Sequence, residues 1–171
     1  MDGEACFAAS GSNIAAASAM EAVFVSGGTI SRIFRKDTTT RLPLLQGKES
    51  TGANSIASYR INPRKKASNF IVVGGDFSNY KIDSATCAIS RDGGKSWHLP
   101  KRPPYGYKSC VMWASQNRLV ACGTSGVDVS EDGGMNWKRI SDKGFHVCVK
   151  SKKGKTYYLA GPKGNISRLD W

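Results

Sequence analysis

The chain of 171 residues lacks most of the signals that assign a reaction. Its five cysteines, Cys6, Cys87, Cys110, Cys122 and Cys148, are scattered and form no C-x-x-C pair. A zinc site would want paired spacings, so no metal is expected, and an odd number argues against a fully bridged disulfide framework. Only two histidines are present, His98 and His146, so a Ser-His-Asp or Cys-His site would have to use one of them. No G-x-G-x-x-G links a strand to a helix, and no cofactor is expected. No apolar run reaches membrane-spanning length. The N-terminal Met1-Asp2-Gly3-Glu4 is acidic, and the Ala-rich stretch after it is broken by Ser10, Gly11, Ser12 and Asn13, unlike a signal peptide. The chain as written is therefore expected to be soluble, without a membrane span. No segment sustains a 3.6-residue period, which argues against a helical core.

Acidic residues are also scarce, with 13 Asp+Glu against 25 Lys+Arg and a net charge of +12. That balance favours polyanionic partners. The densest basic clusters, Arg64-Lys65-Lys66 and Lys150 to Lys155, read as hairpin turns. Aromatics are not interleaved with them as on a nucleic-acid-binding strand face, so nucleic acid is the least favoured partner.

What the chain has is glycine, 19 residues, between short apolar runs, the pattern of many turns and short strands. Two octapeptides share the form Ser-x-Asp-Gly-Gly-x-x-Trp: Ser90-Arg91-Asp92-Gly93-Gly94-Lys95-Ser96-Trp97 and Ser130-Glu131-Asp132-Gly133-Gly134-Met135-Asn136-Trp137. Their spacing of 40 residues suits one blade of a propeller. Asp92 and Asp132 are suited to accept backbone N–H groups in a tight turn, and the Gly-Gly pairs to supply positive φ. Trp97 and Trp137 are placed to begin an outer strand and pack between sheets.

The rest of the chain falls on the same template as four units, about 3–45, 53–100, 107–140 and 145–171. Inner strands are expected at Ala5–Ser10, Ser55–Arg60, Ser109–Ser115 and His146–Ser151. Small residues Ala8, Ala9, Ala57, Ser58, Ala114 and Ser115 suit their crowded axial position. Second strands end in small residues and glycine, as in Val72-Val73-Gly74-Gly75 and Ala121-Cys122-Gly123. Outer strands are expected at Arg41–Leu45, Ser96–Pro100 and Asn136–Ile140. The first unit lacks the glycines and the tryptophan around Asp37-Thr38-Thr39-Thr40, and the fourth stops at Trp171 before any outer strand. The expected fold class is all-β: a single β-propeller domain of about four antiparallel meander blades, complete or partial.

The octapeptides resemble the Asp-box, or BNR, repeat of bacterial sialidases, sortilin-type receptors and photosystem II assembly-factor propellers. The resemblance implies a structural role for Ser90, Asp92, Gly94, Trp97, Ser130, Asp132, Gly134 and Trp137, on the face away from the ligand. The strings Gly3-Glu4-Ala5-Cys6-Phe7-Ala8-Ala9-Ser10-Gly11, Gln46-Gly47-Lys48-Glu49-Ser50-Thr51-Gly52-Ala53-Asn54-Ser55, Val72-Val73-Gly74-Gly75-Asp76-Phe77 and Phe145-His146-Val147-Cys148 look like the C-terminal half of a propeller family of Bacteroidetes-type bacteria. Labels such as oxidoreductase attach to that family. The resemblance implies a periplasmic or secreted location, and no particular reaction.

Sialidase chemistry would need three arginines on a carboxylate, a Tyr nucleophile with a Glu partner, an Asp acid and an Arg-Ile-Pro motif. Tyr59-Arg60-Ile61-Asn62-Pro63 is only similar, being interrupted by Asn62, and reads as a strand followed by a turn. No catalytic residue is assigned. His98 is expected at the surface of an outer strand and His146 before an inner one. Cys6, Cys110 and Cys148 hold matching places on three inner strands. Cys110 and Cys122 flank a hairpin, where a disulfide and two free thiols are both open readings.

Function in a propeller belongs to one loop face. Here its loops are Gln46–Asn54, Lys101–Lys108, Ser141–Phe145, Asp76–Asp83 and Thr124–Gly126. Lys48, Glu49, Asp76, Arg102, Tyr105, Tyr107, Lys108 and His146 are the candidate ligand contacts, tyrosines for flat contact area and cations for anion pairing. The expected function is a non-enzymatic module that binds a protein or an anionic glycan. The alternative is a sialidase-like glycoside hydrolase. A homodimer, or further N-terminal blades, would complete the ring.

Overall fold

The structure is a computed structural model and describes residues 2–7, 11–62 and 64–170. The expected positions Ala8, Ala9, Ser10, Pro63 and Trp171 lie outside the described residues. The protein is a nearly all-β partial propeller of four antiparallel blades. Blade 1 contains β2 (Ile14–Ala16), β3 (Ala22–Gly28), β4 (Arg32–Arg35) and β5 (Thr38–Arg41), with the short β1 (Glu4–Ala5) added to the end of β3. Blade 2 contains β6 (Thr51–Tyr59), β7 (Asn69–Asp76) and β8 (Cys87–Ser90). Blade 3 contains β9 (Cys110–Trp113), β10 (Leu119–Gly123), β11 (Gly126–Ser130) and β12 (Trp137–Ser141). Blade 4 contains β13 (Val147–Lys150), β14 (Thr156–Ala160) and β15 (Ile166–Asp170). The inner strands follow one another around the axis, with β2 against β6, β6 against β9 and β9 against β13. Blades 1 and 2 also touch through the backbone, in the ladder pair Gly27 with Gly52 and in the hydrogen bonds Ile56 N–H to Ser12 O (2.8 Å) and Ala67 N–H to Ala17 O (2.7 Å).

Four expectations need correction. The outer strand of the first unit is β5, Thr38–Arg41, where Arg41–Leu45 was expected. The described inner strand of the first unit is β2, preceded by β1; of the expected Ala5–Ser10, Ala5 ends β1, Cys6 and Phe7 lie in no strand, and Cys6 is exposed. The outer strand of the second unit shrinks to one bridge, His98 with Ile89, because Pro100, Pro103 and Pro104 closely follow and offer no N–H to a ladder. Thr51–Asn54 belong to strand β6 rather than to the preceding loop.

Period-2 alternation explains the core. Along β7 and β10 both faces are apolar, because each middle strand is covered by a blade on either side. Val23, Val25 and Ile33 of blade 1 meet Ile56, Phe70, Val72 and Ala88 of blade 2. Ile71, Val73, Cys87 and Ile89 of blade 2 meet Val111, Leu119, Ala121 and Trp137 of blade 3. Val120, Cys122 and Val127 of blade 3 meet Cys148 and Leu159 of blade 4. All five cysteines are free thiols. Cys110 and Cys122 are direct cross-strand partners, and Cys110 Sγ lies 3.7 Å from Cys148 Sγ on the next inner strand.

The octapeptides form closed turns. Asp92 Oδ1 accepts from Ser90 Oγ (2.8 Å) and from the backbone N–H groups of Lys95 and Ser96 (both 3.0 Å), while Gly94 N–H donates to Ser90 Oγ at 2.8 Å. In the second turn Asp132 accepts from Ser130 Oγ (2.8 Å), Asn136 N–H (2.9 Å) and Asn136 Nδ2 (2.7 Å). Each tryptophan donates its indole N–H to the second glycine of its own turn, Trp97 to Gly94 and Trp137 to Gly134. Both turns also clip neighbouring blades. Arg35 of blade 1 donates to the Gly93 carbonyl, and Arg91 of blade 2 donates to the Gly133 carbonyl. Gly134 has φ +94°, and a Cβ there would lie 2.8 Å from Ile71 Cδ1 of blade 2. The glycine thus allows both the turn and the close approach of two blades.

Candidate functional site

The turns holding Asp92 and Asp132 sit at the end of each blade where the first and second strands join, since Gly93 N–H donates to Ser68 O and Gly133 N–H to Asn117 O, both at 2.8 Å. The loops entering each inner strand, and those linking second to third strands, gather at the opposite end. There they enclose a groove of about 320 Å³ lined by Phe7, Asn54, Phe77, Tyr107, Ser109, Thr124 and His146. Asn54, Ser109 and His146 come from the starts of three successive inner strands, and Phe77 and Thr124 follow the ends of β7 and β10.

An aromatic chain forms one wall. Phe7 meets Phe77 edge-on with centroids 5.7 Å apart, and Phe77 meets Tyr107 at 6.3 Å. Gly27 leaves the space for Phe7, whose Cε2 lies 2.5 Å from where a Cβ would stand. Tyr107 is buried and donates its hydroxyl to Asn54 Oδ1 at 2.8 Å, and burial pushes its hydroxyl up to about 12. Ser109 Oγ donates to the His146 carbonyl at 2.7 Å, so the backbone of His146 is held while its ring borders the groove. The wall is apolar with a few fixed polar groups, the usual make-up of a recognition site. Among the described residues no Asp, Glu or Arg lines it.

Of the eight expected contacts, Tyr107 and His146 line the groove. Lys48 and Glu49 are exposed on the loop before β6. Tyr105 is partly exposed, with the Arg139 guanidinium 3.7 Å from its ring centroid. Three expectations are corrected. Lys108 is fully buried, its Nζ 2.7 Å from Asp128 Oδ2 and donating to Tyr105 O (2.9 Å), Ser125 Oγ (2.7 Å) and Gly126 O (3.2 Å). It holds two loops to β11 and has no access to a ligand. Burial pulls its ammonium below the usual lysine range, against the Asp128 charge that raises it. The Asp128 contact is a charge contact, with the aligned hydrogen bonds of Lys108 going to the other three oxygens. Asp76 is also buried, its Oδ1 accepting the N–H groups of Ser78 (2.9 Å) and Asn79 (3.1 Å) to close the loop that presents Phe77. Arg102 is exposed but lies beside the outer strand of blade 3, where its backbone pairs with Met135 and Trp137. Sequence reasoning missed Phe7, Asn54, Phe77, Ser109 and Thr124. The available signal for Phe77 was a bulky aromatic directly after a strand that ends in Gly74-Gly75-Asp76.

Among the described residues no helix is long and apolar enough to cross a membrane. The BNR/Asp-box repeat family matches residues 88–99. No significant match to a curated protein was found. Among solved structures, the chain is similar to one titled "YCF48 bound to D1 peptide", with a TM-score of 0.60 and 15% sequence identity. That similarity covers 93% of this chain and 51% of the other, so this chain spans about half the length of its structural neighbour. The chain thus carries a BNR/Asp-box repeat on a partial β-propeller.

Proposed function

We propose that the chain is a non-enzymatic protein-binding module that receives an extended peptide segment in the axial groove. The observation that carries this reading is the groove itself: three aromatic rings beside Asn54, Ser109 and His146, at the end of the blades opposite the Asp-boxes. Aromatic walls with fixed hydrogen-bonding groups suit a peptide, whose side chains stack and whose backbone pairs. The structural neighbour is titled as bound to a peptide, which supports the same class of ligand. Among the described residues the lining holds no carboxylate or guanidinium, which is the reason to prefer binding over sialidase-like hydrolysis, whose Tyr nucleophile needs a Glu partner, an Asp acid and three arginines. An anionic glycan is the second reading, resting on the net charge of +12. A periplasmic or secreted location remains part of the proposal.

The test is selection of random peptides displayed on phage against the folded chain, followed by titration of the selected peptides. Phe77→Ala and His146→Ala should weaken binding by about tenfold or more, the scale of a groove anchor. Lys108→Met should leave binding by the folded fraction unchanged. Selected peptides that bind both groove variants as well as the parent would place the site elsewhere. A glycan array that gives binding where peptides give none would favour the second reading.

A further inference from the structure

We infer that Cys110 and Cys148 are a peroxide-reactive thiol pair, Cys110 the nucleophile and Cys148 the resolving thiol, which closes into a disulfide between blades 3 and 4. The inference is independent of what the axial groove binds. It rests on the donors gathered around one sulfur. Cys110 Sγ accepts from the Ser12 hydroxyl at 3.6 Å, the Cys148 backbone N–H at 3.5 Å and the Cys148 thiol at 3.7 Å. Ser12 precedes β2 of blade 1 and Cys148 belongs to β13 of blade 4, so two other blades aim donors at a sulfur of blade 3. Ser12 is itself held by Ser55 of blade 2, their hydroxyl oxygens 2.8 Å apart, and Ser55 Oγ accepts the Val111 N–H at 3.0 Å. When protonated, Cys110 donates to the Cys148 carbonyl at 3.6 Å.

Hydrogen-bond donors turned on a sulfur favour its thiolate, the form that attacks an oxidant. Cys87 gives the contrast. It is fully buried in the apolar joint between blades 2 and 3, and burial pushes its thiol up. At Cys110, hydrogen bonds from Cys122 and Cys148 outweigh burial and hold the thiol well below its ordinary range. The same contacts push Cys122 and Cys148 up, so both stay protonated. Cys122 is the cross-strand partner of Cys110, but it is 0% exposed against 5% for Cys148, and only Cys148 also brings its N–H to the Cys110 sulfur. Access is from the groove. Ser55 and Cys110 directly follow the groove residues Asn54 and Ser109, Cys148 stands two beyond His146, and Ser12 is only partly buried. Such a route suits an oxidant as small as hydrogen peroxide.

The chemistry balances in two steps. The Cys110 thiolate attacks one peroxide oxygen, the O–O bond breaks and hydroxide leaves, giving a sulfenic acid on Cys110. The Cys148 thiol then attacks that sulfur; the S–S bond forms, the S–O bond breaks, and the hydroxyl leaves with the Cys148 proton as water. The first hydroxide takes up the proton that Cys110 lost on ionising. Two thiols are oxidised, and one peroxide is reduced to two waters. The sulfurs close from 3.7 Å to about 2 Å. The bridge joins inner strands 38 residues apart in the chain, so the oxidised protein should melt higher by roughly 5–15 °C.

The test treats the folded full-length Cys6→Ser chain, which has no exposed thiol, with hydrogen peroxide and maps its peptides without reduction. The expected product is a linked pair of peptides containing Cys110 and Cys148. Cys148→Ala should stop at the sulfenic acid, which dimedone labels on Cys110. Cys110→Ala should consume peroxide at least about tenfold more slowly, at the rate of a buried structural thiol. Ser12→Ala, which removes one donor, should slow the first step and leave the linked product the same. A link from Cys110 to Cys122 instead would overturn the pairing. Four buried thiols that stay reduced until the chain unfolds would overturn the inference altogether, and that result needs no variant of the pair itself.

Discussion

Replacing Lys108 by Met separates a ligand contact from an internal brace. In the structure both Lys108 and Asp128 are removed from water, with side-chain exposures of 0% and 2%. Lys108→Met keeps the stem but leaves the Asp128 carboxylate buried with one backbone donor, Tyr105 N–H at 3.2 Å. Stranding one charge of a buried pair costs about 3–5 kcal/mol. The other contacts add little, because Ser125 Oγ continues to donate toward the Tyr105 and Tyr107 carbonyls, leaving Gly126 O as the main unsatisfied acceptor. A loss of that size is a large fraction of the roughly 5–15 kcal/mol that holds a domain of this size together. It should lower Tm by roughly 6–20 °C. The double variant Lys108→Met/Asp128→Leu, which removes both charges, should recover most of the loss, since an apolar replacement of a buried pair is often neutral or stabilising. Urea unfolding followed by tryptophan fluorescence measures all three proteins. A single variant within about 1 kcal/mol of the parent, or a double variant no better than the single, would refute the account of Lys108 as an internal brace.

Three further outcomes are expected. Gly134→Ala should destabilise by about 1–3 kcal/mol, through strain at positive φ and overlap with Ile71, and more than Gly93→Ala, where the nearest atoms to a new Cβ stand at 3.7 Å; chemical denaturation compares them directly. Hydrogen bonds from Arg35 and Lys66 hold the Glu21 carboxyl down from its ordinary 4.5 to about 2, so its stabilisation is full above pH 4.5 and lost as pH falls from 4.5 toward 2. Glu21→Gln should flatten the acid limb of stability in that window, and a parallel acid limb in the variant would contradict it. Of the five thiols only Cys6 is exposed, so an aromatic disulfide reagent should titrate one thiol quickly in the native chain and the other four only on unfolding.

Blade spacing was legible because the Asp-box encodes a complete local turn. Ser90, Asp92, Gly94 and Trp97 find their partners within the same eight residues, so the sequence specifies the geometry without help from the rest of the fold. The loop face was legible for a related reason: a meander alternates its ends, so fixing one turn type at one end assigns every other connection. Individual side chains on that face were not legible. Whether Lys108 meets solvent depends on β11, which is 20 residues on and supplies Asp128, and on the loop that carries Ser125. Likewise Phe7 reaches the groove from the far N-terminal end of blade 1, past a glycine on another strand.

A sharper reading of strand composition would have found the buried pair. In a propeller the third strand lies between blades and is covered on both faces, so a charge within it must be matched internally. Val127-Asp128-Val129 places an acid in that setting, and Lys108, the one of three basic residues in the entering loop that stands next to β9, is its partner. The same argument runs in reverse at Val23-Phe24-Val25. This run is apolar on both faces, like Phe70-Ile71-Val72-Val73 in blade 2. In blade 2 both faces are covered; in blade 1 only the valine face is, and Phe24 stands 40% exposed. Phe24 instead stacks on Phe34 of the neighbouring strand within its own sheet, with ring centroids 4.6 Å apart.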